Sequence, residues 1–263
     1  MNFEQHVHII PLGFEIDRAV VLLERMPANR VYLLVTPEDP DYPNEKKEQI
    51  YCLEEVTRKL KEKKIEVIIK EVDCFDIKEL MNSVSSLILE EKAKGNVVYV
   101  NMSAGGKLSS VGATLAAMAH NAKVYYAIAS SYPRNDQDRQ LHGLSICNKP
   151  EGMILENFQI KLPDEAGKIV LSSIWNKGKP LNTEEILDIL VAKGIEIFVD
   201  EKNCNSKEGK RRLQQKNRVN LNKAVLNKLE KDGYIVREKF GRYNKISLTE
   251  SGEYMANIIG TTD

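Results

Sequence analysis

The stretch VVYVNMSAGGKLSSVGATLAAMA, Val97–Ala119, sets the class of the fold. Its apolar run, VVYV, enters the turn NMSAGGK, and small and apolar residues at helical spacing follow from Lys107. A short apolar run that passes through glycines into a helical pattern is typical of a buried strand and the helix after it in a parallel sheet. The turn also places a hydroxyl, two glycines and a cation at this junction, which calls for a chemical explanation.

The same alternation of strand and helix extends through the first 130 residues. The strands are nearly continuously apolar, which indicates that helices cover both faces of the sheet. We predict an α/β fold with a Rossmann-like, doubly wound parallel sheet. The predicted strands are His6–Leu12, Arg30–Thr36, Ile65–Val72, Val97–Val100, Lys123–Ala129 and, antiparallel at the edge, Ile154–Pro163. The predicted helices are Phe14–Met26, Asn44–Lys64, Asp76–Gly95 and Lys107–Ala119, while residues 130–153 resemble a loop.

The pattern changes at Pro163, and we predict two domains, residues 1–162 and 163–263. The second domain begins with a helix at Asp164–Gly178, whose first residue is a suitable N-cap. Asn182 caps the next helix, because a glutamate follows three residues later at the spacing of a capping box.

A third helix is predicted from an apolar face, and a hairpin and a closing helix follow it. Gly233 stands where a helix-ending glycine would, Gly241 centres the hairpin, and Thr249 caps the last helix. The apolar face consists of Leu221, Val225, Leu226 and Leu229. Three helices, a basic hairpin and a closing helix follow the order of a winged helix-turn-helix domain. The segment LNKLEKDGYIVREKFGRYNKISLTESG, Leu226–Gly252, closely resembles that family.

Charge is distributed unevenly, although the chain as a whole has a formal net charge of zero. Between Lys207 and Lys245 there are 13 basic and four acidic residues, and an excess of this size indicates a polyanionic partner. The alternative is a lysine-rich helix that is merely solvated. Hydrophobic residues make up 42% and charged residues 29% of the chain, which is ordinary for a soluble globular protein.

The cysteines are too widely spaced for a zinc motif or a disulfide framework, so we expect neither a metal nor another cofactor. They are Cys52, Cys74, Cys147 and Cys204. The start, MNFEQHVHII, lacks the basic segment and apolar core of a signal peptide, and no later apolar run approaches the length of a membrane span. We therefore expect a soluble, cytoplasmic protein with no membrane partner.

The winged-helix resemblance implies that double-stranded DNA is the polyanion. Such a domain lays one helix in the major groove while its hairpin touches the backbone or the minor groove. Asparagine amides pair with adenine, and lysine reaches guanine or a phosphate. With the apolar face turned inward, the predicted DNA contacts are Asn220, Asn222, Lys223 and Asn227 on the helix and Arg242 and Lys245 on the hairpin. Lys210, Arg211 and Arg212 would hold phosphates, but the long connection Gly194–Arg218 leaves the start of the helix open between residues 206 and 221.

Three explanations compete for NMSAGGK: a phosphate cradle, a nucleophile elbow and an ordinary tight turn. In a cradle, Asn101 and Ser103 supply donors, Gly105 and Gly106 allow positive φ and close backbone approach, and Lys107 supplies a cation. The helix N-terminus that follows the turn attracts an anion as well. Each residue type is therefore accounted for by an anionic ligand.

The alternatives fit less well. A Walker A loop is disfavoured because Asn101 stands where its first glycine should be. The elbow pattern would make Ser103 a nucleophile, but no aspartate is evident beside His120 or His142 to complete a triad.

At the first strand–helix junction, Gly13 and Phe14 form a second turn at the same edge of the sheet. In that second turn, Phe14 either stacks on a base or packs in the core, and the acids Glu15 and Asp17 either serve the ligand or suit the helix dipole. His6 and His8 share one face of the first strand, and we expect them to be packed rather than functional.

A Rossmann-like domain followed by a winged helix resembles the archaeal transcription regulators with a CRISPR-associated Rossmann-fold (CARF) domain. HVHIIPLGFEIDRAV and VNMSAGGKLSS look like the first-strand and fourth-strand motifs of that family. The resemblance implies a homodimer in which these loops meet and bind a cyclic oligoadenylate or a similar anionic nucleotide. By that resemblance, the pocket would be lined by Gly13, Phe14, Asn101, Ser103, Gly105, Gly106 and Lys107.

We therefore expect a ligand-modulated DNA-binding transcriptional regulator without catalytic activity. One alternative is an enzyme, either a ring nuclease that cleaves its own ligand or a Ser103-dependent hydrolase with an accessory winged helix. Another is an interaction module whose winged helix contacts protein. The sequence leaves open the ligand, the operator, and whether the protein activates or represses.

Overall fold

The computed structural model describes residues 3–37, 43–199, 206–240 and 243–260. The chain forms two compact units, and the first ends at Ile160, two residues before the expected boundary. Each unit has its own apolar core.

The N-terminal unit is a six-stranded sheet with helices on both faces. Its strands are β1 (His6–Pro11), β2 (Arg30–Val35), β3 (Glu66–Glu71), β4 (Val97–Asn101), β5 (Lys123–Ala127) and β6 (Gly152–Leu155). Its helices are α1 (Asp17–Val20), α2 (Pro43–Glu62), α3 (Ile77–Ala93), α4 (Lys107–Ala119) and α5 (Asp136–His142). The strand order is β3-β2-β1-β4-β5-β6, with β1 to β5 parallel and β6 antiparallel to β5. The predicted doubly wound sheet and its antiparallel edge strand are confirmed.

The strand order reverses between β1 and β4. Helices α1 and α2 pack on one face of the sheet, and α3 and α4 pack on the other. The chain segments that leave β1 and β4 at the carboxyl ends of the strands therefore run to opposite faces. In open α/β sheets, ligands bind at this switch point.

Some elements differ from the prediction. The helix expected at Phe14–Met26 is reduced to α1 and a 3-10 turn, Val21–Glu24. The consecutive apolar residues Ala19–Leu23 are all buried, whereas a regular amphipathic helix would bury only one side. β3 is an edge strand and largely exposed, rather than covered on both faces. The region predicted as loop contains α5, which is capped by Asn135. The edge strand predicted at Ile154–Pro163 is instead Gly152–Leu155, so the prediction is wrong for the residues after Leu155.

A buried carboxylate, Glu91 on α3, ties the starts of two strands together. It accepts hydrogen bonds from Tyr32 Oη at 2.7 Å, from Asn96 Nδ2 at 2.6 Å and from Arg30 Nη1 at 3.1 Å, and Lys94 Nζ also donates to it. Burial alone raises the pKa of this carboxyl, but the bonds from Tyr32, Asn96 and Lys94 outweigh burial and hold the pKa below its ordinary value. Glu91 is therefore a charged residue that the core of this unit needs.

We predict that Glu91→Gln lowers the free energy of unfolding of the N-terminal unit by about 3 kcal/mol, because the cluster loses its buried negative charge and Arg30 keeps only the exposed carboxylate of Glu66 as a counter-charge. Glu90→Gln is the matched control: Glu90 is exposed and pairs only with Lys94 in the described ranges, so its loss costs about 0.5 kcal/mol or less. Urea unfolding followed by circular dichroism measures both. Equal losses in the two variants would contradict the role assigned to Glu91.

His8 is packed inside the unit, as expected. Its ring stacks on Tyr99 with 4.7 Å between ring centroids, and it is fully buried. Its Nε2 lies 3.0 Å from the carbonyl oxygen of Pro27, and its Nδ1 lies 3.2 Å from the Tyr125 hydroxyl. Because a carbonyl only accepts, Nε2 carries the proton and Nδ1 accepts from Tyr125. Burial lowers the pKa of His8 to about 4, so the ring is neutral at pH 7.

We predict that His8 makes the N-terminal unit sensitive to mild acid. Below its ordinary pKa of 6.5 the unfolded chain binds a proton that the folded unit does not bind until about pH 4, so stability falls as pH drops through this window. At pH 5 the loss from His8 is about 2 kcal/mol relative to pH 7. His8→Gln removes this part of the pH dependence in urea unfolding at the two pH values. The same pH dependence in both proteins would show that the prediction is wrong.

The C-terminal unit has the element order of a winged helix domain. Its elements are α6 (Glu165–Lys177), β7 (Leu181–Asn182), α7 (Thr183–Ala192), α8 (Lys207–Asn220), α9 (Asn227–Lys231), β8 (Ile235–Phe240), β9 (Tyr243–Leu248) and α10 (Glu250–Ile259). The strand order is β7-β9-β8, and β8 and β9 form the predicted hairpin. The four predicted apolar residues of the third helix are each at most 2% exposed, which confirms that face.

Local capping follows the sequence closely. Asp164 Oδ1 accepts from Gly167 N at 3.0 Å, and Asn182 forms the predicted capping box. Gly233 ends its helix with φ of +78°, a conformation that other residues rarely adopt. Thr249 Oγ1 accepts from the amide at the start of α10 at 3.0 Å. These caps fix where the helices of the unit begin and end.

The third helix is one continuous helical segment from Lys207 to Lys231, because a π-helical turn, Leu221–Leu226, joins α8 to α9. Half-buried or buried residues recur at every fourth position: Gly209, Leu213, Asn217, Leu221, Val225 and Leu229. In a regular α-helix, residues at this spacing drift around the axis by about 40° at each step. The wider π turn corrects part of this drift and keeps the last two residues on the core side.

Candidate functional site

The ends of β1 and β4 lie against each other at the switch point. Gly13 N donates to the carbonyl oxygen of Ala104 at 2.9 Å, which joins the two turns directly. A Cβ on Gly105 would stand 3.1 Å from the Pro11 carbonyl oxygen and 3.2 Å from Ser109 Cβ. Glycine at position 105 therefore permits the close approach of the β4 turn to the end of β1.

Asn101 and Ser103 shape this turn from the inside. Asn101 Oδ1 accepts from Ser103 N at 2.7 Å and from Ser103 Oγ at 2.6 Å, and Asn101 Nδ2 donates to the Arg18 carbonyl at 2.9 Å. Ser103 Oγ in turn accepts from Ala127 N at 3.0 Å. Both side chains are buried, at 1% and 4% exposure. These side chains were expected to donate hydrogen bonds to a ligand. Instead, their polar atoms form hydrogen bonds within the protein.

The anion-attracting part of the turn is the start of α4. Gly106 is the N-cap, and no side chain caps the helix. The amides of the first turn have no intrahelical partner and form the positive end of the helix dipole. Gly106 and Lys107 are exposed at this end. Neither Gly105 nor Gly106 has positive φ, contrary to expectation. Glycine at position 105 is therefore explained by its close packing against Pro11 and Ser109, and not by an unusual backbone conformation.

The other predicted residues, Gly13 and Phe14, are half-buried beside this helix start. Phe14 packs against the apolar core that α1 and α2 cover, so part of its ring serves the core. The structure thus brings Gly13, Phe14, Gly105, Gly106 and Lys107 to one end of the sheet.

A segment that the sequence analysis left as loop, residues 142–147, runs beside the β1 turn. Leu144 N donates to the Phe14 carbonyl at 3.0 Å. Gly143 has φ of +78°, and a Cβ there would stand 2.5 Å from the Phe14 carbonyl oxygen. In the sequence, this contact is marked only by the histidine–glycine pair of the segment. A glycine in a loop indicates a turn, but it does not indicate which residue the turn packs against.

The acids of the β1 turn hold this segment in place. Glu15 accepts from Ser145 Oγ at 2.7 Å, and burial raises the pKa of Glu15. Asp17 Oδ2 accepts from Cys147 N at 3.0 Å and lies 2.8 Å from His142 Nδ1. Both acids are thus bound to the neighbouring segment, a role that neither alternative of the sequence analysis, the ligand or the helix dipole, included.

The pairing of Asp17 with His142 also corrects the statement that no aspartate lies beside this histidine. The nucleophile explanation gains nothing from it. The Ser103 hydroxyl donates to Asn101 and accepts from Ala127, and no histidine contacts it among the described residues. A serine held in this way is not activated by a base.

On the winged helix, three of the four predicted base readers are occupied. Arg237 on β8 donates to Asn222 Oδ1 at 3.2 Å and to Asn227 Oδ1 at 2.9 Å, and it also pairs with Glu230. Asn222 Nδ2 donates to the carbonyl of Arg218 at 2.9 Å. Asn220 Nδ2 donates to the carbonyl of Ile197 at 3.2 Å. These amides stabilise the domain itself, which the helical pattern alone did not show.

The predicted cations lie differently. Lys223 is exposed on the helix and makes no hydrogen bond or ion pair with another described residue. Lys245 is exposed on β9. Arg242 and Gly241, at the tip of the hairpin, lie outside the described residues.

A search of the described residues finds no cluster of histidine, cysteine and acidic side chains that could hold a metal ion. Cys52, Cys74 and Cys147 are buried, and burial raises the pKa of each thiol to about 11, which keeps them protonated. Within the same ranges, no helix has both the length and the apolar character that crossing a bilayer requires.

Two family models match the chain. Residues 6–132 match the model described as "HFX_2341_N-like, N-terminal", and residues 167–260 match the DUF6293 C-terminal winged helix domain. The N-terminal match covers the five parallel strands and the switch point, and the C-terminal match covers the predicted winged helix. The expected organisation, an N-terminal Rossmann-like domain followed by a winged helix domain, is confirmed.

Among curated proteins, MJ1513 of Methanocaldococcus jannaschii is 27% identical over 152 residues, which are 55% of this chain and 42% of that protein. The match thus spans less than half of the length of that relative. Solved structures overlap weakly. Can2 from Sulfobacillus thermosulfidooxidans in complex with cyclic tetra-adenylate has 17% identity and a TM-score of 0.37, covering 96% of this chain and 63% of that one.

Protein VC1899 from Vibrio cholerae has 12% identity and a TM-score of 0.40, covering 97% of this chain and 65% of that one. Enterococcus italicus Csm6 bound to cyclic hexa-2'-fluoro-hexa-dAMP has 11% identity and a TM-score of 0.40, covering 87% and 58%. This chain covers less than two thirds of each of these structures. Overlaps with TM-scores this low do not establish a shared fold or a shared function.

We predict that Gly105→Ala destabilises the N-terminal unit by about 1 to 3 kcal/mol, because the added methyl group meets the Pro11 carbonyl and Ser109 at overpacked distances. Gly106→Ala is the matched control. Its methyl group would meet only Ser109 Oγ at 3.6 Å, so we expect a smaller loss, of about 1 kcal/mol or less, because alanine is a poorer N-cap than glycine. Urea unfolding of both variants tests this. A larger loss at position 106 than at position 105 would refute the packing argument.

Proposed function

Because the chain joins an HFX_2341_N-like N-terminal domain to a DUF6293 winged helix domain, we propose that it is a ligand-responsive transcriptional regulator that binds double-stranded DNA as a homodimer. The effector is a cyclic oligoadenylate or a similar anionic nucleotide. The observation that carries the proposal is the uncapped start of α4, with Lys107 exposed on it, at the switch point of the sheet.

The chemistry of this end of α4 favours a phosphate. Free first-turn amides and a lysine attract negative charge, and a phosphate satisfies donors that no side chain caps. We propose a cyclic oligoadenylate in particular because the two strand-end motifs resemble those of the CARF family. In this proposal Gly13, Phe14, Gly105, Gly106 and Lys107 contact the ligand, while Asn101 and Ser103 position the turn.

The surface of α4 supports the homodimer. Lys107 is its single charged residue, and Leu108 and Val111, one turn apart, are 44% and 53% exposed. A helix whose exposed side carries apolar residues and almost no charge is typically covered by another surface. If a second copy covers it around a two-fold axis, two Lys107 side chains lie close to one ligand, and ligand binding becomes coupled to the geometry of the dimer.

The winged helix supplies the DNA-binding side. The excess of basic residues between Lys207 and Lys245, together with exposed Lys223 and Lys245, suits the phosphate backbone, and Arg242 at the hairpin tip is the further predicted contact. We assign Ser103 no catalytic role, since its hydroxyl is bonded within the turn. The proposal is therefore a regulator and not an enzyme.

We predict that cyclic tetra-adenylate binds at one ring per two chains and changes the DNA affinity of the wild type. Lys107→Ala should weaken ligand binding at least about tenfold, because a charge-assisted contact is lost from each chain. It should leave basal DNA binding unchanged and remove the response to ligand. Calorimetry measures the first effect, and fluorescence anisotropy with labelled duplex, with and without ligand, measures the others.

The control is Lys61→Ala, an exposed lysine on α2 for which we expect wild-type behaviour. If Lys107→Ala and wild type bind the ring equally well, the ligand site is misplaced. If wild type binds no duplex at low salt, the regulator proposal fails.

A further inference from the structure

The helix of the winged helix domain that faces DNA is longer than the groove it would enter. The continuous segment from Lys207 to Lys231 has 25 residues and a length of about 37 Å, whereas the major groove is about 12 Å wide. Only part of the segment can therefore touch base edges. In helix-turn-helix domains that part is the N-terminal end of the recognition helix.

The C-terminal part of the segment is poorly suited to reading bases. Asn222 and Asn227 are held by Arg237, and the amide of Asn222 is also used by the carbonyl of Arg218. The bidentate pair with adenine needs both amide atoms, and the oxygen of each of these two amides is already bonded inside the domain. This end of the helix is instead buried on one side by the core.

The N-terminal part presents a free ridge. Gly209, Leu213 and Asn217 face the domain, as their reduced exposure shows. The residues two positions further along point about 200° around the helix and so lie on the opposite side. They are Arg211, Gln215 and Val219, all exposed. Neither Arg211 nor Gln215 forms a hydrogen bond or an ion pair with another described residue.

The chemistry of this ridge matches base edges. Arginine pairs bidentately with guanine, glutamine pairs bidentately with adenine, and an apolar side chain contacts the methyl group of thymine. Val219 is 44% exposed, although the residues next to it, Arg218 and Asn220, are polar. A thymine methyl group would cover this exposed valine. Residues four apart on a helix are neighbours on its surface, so the three side chains form one continuous row.

The charge around the ridge fits a duplex rather than a protein. From Lys207 to Arg218 there are six basic residues and one acidic residue, Glu208. Glu208 pairs with Arg212, and Arg218 pairs with Glu184. Lys210 and Lys216 are exposed and lie to the sides of the ridge, where phosphates would flank a helix in the groove, and exposed Lys207 precedes Arg211 by one turn.

We propose that Arg211, Gln215 and Val219 form the base-reading ridge of this protein, in place of Asn220, Asn222 and Asn227. The ridge takes base edges in the major groove of double-stranded DNA, and the flanking lysines take its phosphates. This inference rests on the proposed function, because it assumes that the winged helix binds DNA.

Selection from a random duplex library, followed by sequencing, tests the ridge on the full-length protein. Arg211→Lys keeps the charge but removes the planar fork that pairs with guanine. We expect it to bind unselected DNA as tightly as wild type within about twofold, and to lose about tenfold of discrimination at one position of the selected motif. Gln215→Ala should lose discrimination at a neighbouring position in the same way.

Arg212→Lys is the matched control, because Arg212 is the adjacent exposed arginine, off the ridge and paired with Glu208. It should select the wild-type motif. If Arg211→Lys and Gln215→Ala also select the wild-type motif, the ridge is overturned while the DNA-binding function stands. If wild type binds DNA but selects no motif, the ridge is likewise overturned. Absence of any DNA binding by wild type would overturn the ridge and the proposed function together.

Discussion

The close contact between the ends of β1 and β4 is the constraint on which the candidate site depends. Gly13 donates to the carbonyl of Ala104, and Gly105 fits against Pro11 only because it has no side chain. This contact decides where the chain leaves the sheet and where α4 begins. Without it, the first-turn amides and Lys107 would not lie at the switch point, where an open sheet leaves room for a ligand.

The polar residues of NMSAGGK have two different roles, although their chemistry first suggests that all of them bind a ligand. Asn101 and Ser103 satisfy each other, the Arg18 carbonyl and the Ala127 amide, so they form a rigid frame. The contacts left for an anion are backbone amides and one lysine. Such a site recognises negative charge and shape more than particular functional groups. If the proposed ligand is a nucleotide, selectivity for it must come from the rest of the surface around the turn, which suits a ligand shared between two copies.

The sequence predicts well whatever depends on local patterning. The parallel strands, the caps at Asp164, Asn182 and Thr249, and the apolar face of the third helix all follow from spacing and residue type. It predicts poorly whatever depends on a distant partner. The periodicity turns Asn222 and Asn227 outward, but nothing in it reveals that Arg237 reaches them from β8. Likewise, Asp17 meets His142 across 125 positions, and Gly143 gives no sign of the turn it packs against.

The rigidity of the winged helix indicates how a ligand could act on DNA. The third helix is anchored to its own core by Leu221, Val225 and Leu229, each at most 2% exposed, and α8, which carries the proposed ridge, continues directly from this anchored part. A ligand bound to the other domain therefore need not reshape the ridge in order to act. What a two-fold ligand changes is the arrangement of two copies, and dimeric readers depend on the spacing of their half-sites. Because such coupling is reciprocal, bound DNA must change the ligand affinity of the proposed dimer by the same factor by which the ligand changes its DNA affinity. Regulation of this kind needs no movement within either domain, only two rigid readers whose separation the ligand sets.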